Sequence, residues 1–122
     1  MTIAFAAGAA ILGIACAIGH SLISERKFLR PLHAEPRTSP FAARSMRDIT
    51  RVVFHIPSMA WAVLGIAVLV ARMEGGNQLL SIVAAIIFAG SGIGNLAALR
   101  RPHAGGLMMI GAAALTLADM ML

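Results

Sequence analysis

The segment RVVFHIPSMAW, residues 51–61, is where a basic stretch of the chain changes into an apolar one. Seven of the ten Lys and Arg residues lie between Ser24 and Arg51, and the apolar run Val52–Ala71 follows at once. A bilayer core about 30 Å thick is crossed by about 20 helical residues. Residues 52–71 are therefore predicted to be a membrane-spanning helix that begins at the end of the basic stretch.

Three further apolar runs, about residues 3–23, 78–99 and 105–121, have lengths that suit a membrane helix. The whole chain is 59% hydrophobic and 12% charged, whereas soluble domains are about half apolar and about a quarter charged. An open sheet cannot satisfy its backbone in lipid, so strands are not expected. Residues 1–122 are predicted to form a single all-α integral membrane domain, a four-helix transmembrane bundle with up-down-up-down topology.

The basic residues are distributed unequally among the three connections. Residues 24–51 carry seven, residues 100–104 carry two, and residues 72–77 carry one. Because basic loops stay on the cytoplasmic side, loops 24–51 and 100–104 are predicted to be cytoplasmic, with both termini periplasmic, in a bacterial inner membrane. No basic stretch precedes the first apolar run, so a cleaved signal peptide is not predicted. The expected partner is a bilayer with anionic headgroups, and nucleic acid is not expected.

Prolines and a serine shape the predicted connections. Ser39 and Pro40 form a typical helix start, so part of the first loop is predicted to be an amphipathic helix that leads into the second span. Pro31 and Pro36 predict a non-helical link around His33-Ala34-Glu35. Pro57, early in the second span, removes one backbone hydrogen bond and predicts a kink.

Polar residues near the predicted cytoplasmic ends of the spans form the candidate site, because polar groups inside a membrane protein usually face its interior and have a function. His20 ends the first span on a face of small residues, and His55 begins the second span on another such face. The candidate ligand-binding or metal-binding residues are His20, Glu25, Arg51, His55 and Asn95, with Cys16, Ser58, Ser91 and His103 as secondary candidates.

Several ligands fit this set of side chains. Imidazole and carboxylate groups suit a metal ion, two histidines on neighbouring helices suit haem, and arginine suits an anionic ligand. A proton or cation relay is another use of histidine, and the alternative is that each side chain is simply hydrated in the headgroup layer. No nucleophile–base pair or paired carboxylates are apparent, so an enzyme is not predicted. Two other functions stay open: an accessory or scaffold subunit of a larger membrane complex, and a small transporter or channel that works as a homo-oligomer.

Three other features are interpreted structurally. The stretch GSGIGN, residues 90–95, resembles part of a dinucleotide-binding motif but follows no strand. Its glycines are predicted to let the third span pack closely, and Asn95 to donate a hydrogen bond to another helix. Trp61 is predicted to be a packing or lipid-facing residue outside the site, Ser58 to bond its own backbone near Pro57, and Asp119 to be hydrated at the outer interface.

The pattern HSxxxERxxLxPL from His20 to Leu32, followed by RxxxHxxSxxW from Arg51 to Trp61, resembles one found in small bacterial four-span integral membrane proteins. The resemblance covers the ends of the first two spans. It implies the same four-span fold, and that group brings no established activity or catalytic residue with it. The length is also similar to that of small multidrug transporters and fluoride channels. Their buried acidic residue in the first span and Phe-rich polar track in the third are missing here.

Overall fold

The computed structural model describes residues 3–34 and 43–122, and the regular structure in these residues is entirely helical. The first helix is continuous over the 31 residues Ala4–Ala34 and contains a π-helical segment. The elements in chain order are α1 (Ala4–Ser24), the π-helical segment (Glu25–Leu29), α2 (Arg30–Ala34), α3 (Arg44–Met73), α4 (Gln78–Leu99) and α5 (Ala104–Met120).

The four apolar runs are all helical, as the sequence predicts. Three helices are long and apolar enough to cross a membrane: Ala4–Ala34, Arg44–Met73 and Gln78–Leu99. The fourth, Ala104–Met120, is apolar and has 17 residues. At about 1.5 Å per residue, the 30 residues of α3 reach well beyond an apolar core of about 30 Å.

The prediction of a non-helical link around Pro31 is wrong for the described residues, because the helix continues to Ala34. A proline ring normally clashes with the carbonyl four residues earlier in a helix. Here the turn before Pro31 is π-helical, and the Arg30 N–H donates to the Glu25 carbonyl five residues earlier. This wider turn accommodates the proline without ending the helix. Glu35 and Pro36 lie outside the described residues.

The first loop therefore contains more helix than predicted. His33, on α2, bonds to α3 through a reciprocal contact: its Nε2 lies 3.1 Å from the Arg47 carbonyl oxygen, and Arg47 Nη1 donates to the His33 carbonyl. The Phe28 and Phe54 rings stack nearby, with centroids 6.3 Å apart. The amphipathic helix start predicted at Ser39-Pro40 lies outside the described residues, in which α3 begins at Arg44.

α3 continues through Pro57 as a single helix from Arg44 to Met73. The proline lies in the second half of the quoted segment, one residue before buried Ser58. The backbone thus keeps the helical register that places residues 51, 55 and 58 on one face. The kink itself stays a prediction.

Close contacts at glycines show how the helices are arranged. α1 lies between α3 and α5, and α4 packs mainly on α5. A Cβ on Gly65 of α3 would lie 2.9 Å from Ala10 Cα of α1, and one on Gly92 of α4 would lie 2.8 Å from the Gly106 carbonyl oxygen of α5. Small residues thus let the backbones approach, as is typical of helices that pack in lipid.

The core is built from small residues, and the large aliphatic residues face outward. Alanine is the commonest buried residue, at positions 6, 9, 10, 17, 84, 85, 112 and 113. Large apolar side chains are exposed along every long helix, for example Ile11, Val63, Ile86 and Leu117. A water-soluble protein rarely exposes apolar surface on this scale. The arrangement is that of a helical protein whose outer surface contacts lipid.

The contacts define two ends of the bundle. The basic end holds the carboxyl-terminal part of α1, the π-helical segment, the start of α3 and the α4–α5 connection. Cys16 Sγ of α1 donates to the Gly105 carbonyl of α5 there, at 3.6 Å. The Arg72 end holds the start of α1 and the ends of α3 and α5, where a Cβ on Gly8 would meet Leu115.

Candidate functional site

Two crossed histidine–serine pairs join α1 to α3 at the basic end. His20 Nδ1 lies 2.9 Å from Ser58 Oγ, and His55 Nδ1 lies 3.1 Å from Ser21 Oγ. Each helix therefore supplies one imidazole and one hydroxyl. Ser58 is buried, and the other three side chains are partly buried. Ser58 thus has its partner on another helix, rather than only on the local backbone as predicted.

The sequence spacing accounts for this reciprocity. His20 and Ser21 are adjacent on α1, whereas His55 and Ser58 are three residues apart on α3. Residues three apart share a helix face, and α3 runs antiparallel to α1, so His55 meets the later α1 residue and Ser58 the earlier one. The motifs HS at residues 20–21 and HxxS at residues 55–58 indicate this pairing. Ser21 is the one member of the two pairs that was not among the predicted site residues.

Glu25 is the centre of the charged part of the site. Its Oε1 accepts a hydrogen bond from Arg51 Nη2 at 3.1 Å and lies 3.7 Å from Arg30 Nε. Its Oε2 lies 3.7 Å from His55 Nε2. The Glu25 side chain is 27% exposed and that of Arg51 is 43% exposed. One half-buried carboxylate therefore faces two guanidinium groups and an imidazole, so the predicted Glu25–Arg51–His55 grouping is real, with Arg30 as an additional member.

The position of Glu25 orients the His55 ring. A carboxylate beside Nε2 favours the tautomer that carries its proton on Nε2. Nδ1 is then the acceptor, and the Ser21 hydroxyl donates to it. The result is a chain from Glu25 through His55 to Ser21. The order resembles that of a hydrolase triad, but Ser21 lies inside α1, where the nearby amides are engaged in the helix, so no backbone oxyanion hole stands beside it.

Trp61 belongs to this network, as a buried packing residue. Its ring meets the His20 ring edge to face, with centroids 5.1 Å apart and planes at 77°. Its Nε1 donates to Ser91 Oγ on α4 at 2.9 Å. Of the two predicted roles, packing is correct and lipid-facing is wrong, because the residue is 4% exposed. Placing Trp61 outside the site was also wrong, since it links His20 to the secondary candidate Ser91.

The remaining candidates lie apart from Glu25. Asn95 Nδ2 donates to the Ser91 carbonyl at 2.8 Å, within its own helix, so the predicted bond to another helix is replaced by a local one. Cys16 is buried against Gly105. His103 precedes the first turn of α5, half-buried, with its Nδ1 atom enclosed and without a hydrogen-bond partner among the described residues.

The candidate residues do not converge as a cluster of metal ligands in the part of the chain that the structure describes. Among residues 3–34 and 43–122, no group of three or more His, Cys, Asp or Glu side chains is placed to hold a metal ion.

A second polar contact lies at the opposite end, where the sequence predicted a hydrated carboxylate. Asp119 is buried, and its Oδ1 lies 3.4 Å from Arg72 Nε. The two side chains are 5% and 9% exposed. The prediction for Asp119 is wrong because this residue continues the buried stripe of Met109, Ala112 and Thr116 on α5.

Replacing Ser58 with alanine is expected to lower the free energy of unfolding by about 1 kcal/mol, because His20 Nδ1 loses its partner. Ser21→Ala should have a similar effect through His55. Ser45→Ala, on the exposed start of α3, is the control and should have almost no effect. The measurement is denaturant unfolding of the purified protein in detergent. Equal stability of all three variants would show that the crossed pairs do not hold α1 to α3.

Comparison of the chain with protein-family models, with curated proteins and with solved structures finds no match.

Proposed function

We propose that this chain is a four-span, up-down-up-down protein of the bacterial inner membrane that binds a small anionic ligand at its basic end, with that end toward the cytoplasm. The ligand class is an oxyanion, a carboxylate or phosphate group. The cytoplasmic placement follows from the excess of Lys and Arg in the two connections at that end. Arg51 and Arg30 are proposed to contact the ligand. His55 and the two histidine–serine pairs adjoin them through Glu25.

The charge balance around Glu25 favours an anion over a cation. One carboxylate lies within 4 Å of Arg51, Arg30 and His55, so the guanidinium charges exceed the single negative charge even when the imidazole is neutral. An excess of positive charge at a partly buried site attracts anions and repels metal ions. Among the ligands that the residue types alone leave open, the charge balance supports an oxyanion.

The Arg51 guanidinium provides the observation that carries the proposal. Its Nη2 donates to Glu25, while its Nε is buried and has no hydrogen-bond partner among the residues that the structure describes. A buried N–H without an acceptor costs about 1–3 kcal/mol, and more when the group is charged. The Arg51 side chain is 43% exposed, so an oxyanion can approach the guanidinium group from solvent and add an acceptor, and guanidinium groups are well suited to carboxylate and phosphate oxygens.

Arg51→Gln is expected to weaken anion binding by at least about tenfold, since a hydrogen bond to a charged group contributes about 1.5–3 kcal/mol. Equilibrium dialysis of the detergent-purified protein against radiolabelled inorganic phosphate measures this. Arg26→Gln removes the same charge from an exposed position on the π-helical segment and should change binding little. An equal loss in both variants, or no saturable binding by the unaltered protein, would contradict the proposal.

Glu25→Gln reports the sign of the ligand charge in the same assay. Removal of the carboxylate that competes for Arg51 should strengthen phosphate binding, whereas a cation site would lose one of its ligands. Weaker phosphate binding by Glu25→Gln would therefore also count against an anion site. The two other predicted functions have their own signatures: a transporter shows flux in proteoliposomes, and an accessory subunit retains a partner on gentle extraction.

A further inference from the structure

A groove with a charged mouth and apolar sides lies where α4 ends and α5 begins. It has a volume of about 310 Å³ and is lined by Leu96, Arg100, Arg101, Pro102 and Leu107. Both arginines are exposed, and no carboxylate among the described residues pairs with either of them. None of these five residues belongs to the Glu25–Arg51 site, so the groove is a separate feature.

The backbone fixes the two arginines at the end of α4. Arg100 has a φ of 50° and a ψ of 29°, and its N–H donates to the Ala97 carbonyl at 3.3 Å. A left-handed residue of this kind ends a helix, and a proline shortly after it prevents the helix from continuing. Pro102 occupies that place. The chain therefore turns out of the α4 helix at Arg100, and both arginines line the groove.

The position and chemistry of the groove favour an amphiphilic anion. The ends of two apolar helices lie in the headgroup layer when the bundle is in a membrane, whichever side the basic end faces. Leu107 is 55% exposed, so its apolar surface is available beside the arginines. The helix dipole adds positive potential at the amino-terminal end of α5, and no acidic residue in the first turn offsets it. A free phosphate ion would use the arginines and leave the apolar sides uncovered.

We propose that this groove binds one anionic phospholipid, with its phosphate on Arg100 and Arg101 and an acyl chain along Leu96 and Leu107. Basic pockets between membrane helices are suited to such headgroups. Because Arg101 and Arg100 are adjacent, the pair offers several N–H donors to one phosphate. The lipid would cover the α4–α5 connection and contact both helices of that hairpin.

The test is native mass spectrometry of the full-length protein in neutral detergent, with short-chain phosphatidylglycerol or phosphatidylcholine of equal chain length. We expect one retained phosphatidylglycerol and at least about fivefold preference over phosphatidylcholine. R100Q/R101Q should abolish that preference. Leu107→Trp, which narrows the groove without changing charge, should reduce phosphatidylglycerol retention by about as much. Inorganic phosphate at equal concentration should not displace the lipid.

The control is R26Q/K27Q, which removes two exposed charges from the same end of the bundle and should retain the lipid. Equal loss in R26Q/K27Q and R100Q/R101Q would overturn the proposal, since it would indicate general electrostatic attraction. Displacement by inorganic phosphate, or unchanged retention in Leu107→Trp, would also overturn it, because the site would then recognise phosphate alone. Unfolding curves for each variant confirm that its bundle is intact.

Discussion

Replacing Arg72 with leucine should lower the free energy of unfolding by about 3 kcal/mol or more, because Asp119 would keep a buried charge without its partner. The two side chains are 9% and 5% exposed, and Arg72 Nε lies 3.4 Å from Asp119 Oδ1. Asp119→Leu should have an effect of similar size by leaving the guanidinium unpaired. The pair joins the end of α3 to the end of α5, so its loss should loosen the Arg72 end of the bundle.

The double variant R72L/D119L should recover most of this loss, because a buried ion pair is often replaced by apolar residues at little cost. Denaturant titration in detergent gives the three free energies of unfolding, and the double-mutant cycle gives the coupling between the residues. Glu74→Leu is the control, since Glu74 is exposed two residues beyond Arg72. If Arg72→Leu destabilises no more than Glu74→Leu, the buried pairing is wrong.

Gly92→Ala is expected to destabilise the bundle by about 1–3 kcal/mol through overpacking between α4 and α5. A Cβ at this position would lie 2.8 Å from the Gly106 carbonyl oxygen and 3.1 Å from the Ile110 nitrogen. Both neighbours are backbone atoms of α5, so they can give way only if the two helices separate. A larger side chain, as in Gly92→Leu, should prevent the α4–α5 contact altogether.

Gly94→Ala is the matched control, because a Cβ there meets nothing within 4 Å. Alanine is favoured over glycine in a helix by about 1 kcal/mol, so this variant should be neutral or slightly stabilising. Thermal unfolding in detergent, followed by helical circular dichroism, distinguishes the two variants. Both glycines belong to the motif GSGIGN, and only Gly92 contacts α5 closely. Equal effects of the two substitutions on stability would therefore contradict the close packing at Gly92.

The fold was predictable from the sequence where local chemistry decides it. Apolar runs of membrane length predicted all four helices, with α4 at residues 78–99 and α5 within one residue of its bounds. The helices of the first two spans extend beyond their apolar runs, to Ala34 and from Arg44. The faces of small residues around His20 and His55 predicted that both side chains turn toward the bundle. The π-helical turn before Pro31 was not predictable from local sequence. Proline usually indicates a helix boundary, and the neighbouring residues show no pattern that is typical of a π-helical turn.

The site was predictable only in part, because partners depend on which helices become neighbours. Glu25, Arg51 and His55 were grouped correctly by depth. Trp61 was excluded by its angle from His55 on α3, although its actual partners, His20 and Ser91, lie on two other helices. The pairing of Asp119 with a residue 47 positions earlier in the chain likewise requires the packing of α3 against α5.

The most direct test of the proposed anion site is nuclear magnetic resonance of the arginine Nε–H groups during titration with inorganic phosphate. The Arg51 Nε–H is buried and has no acceptor among the described residues, so its resonance should shift saturably as phosphate binds. The Arg26 Nε–H, on an exposed side chain, should stay nearly unchanged. Equal small shifts at both arginines, or no shift at Arg51, would contradict the proposal that Arg51 binds an anion.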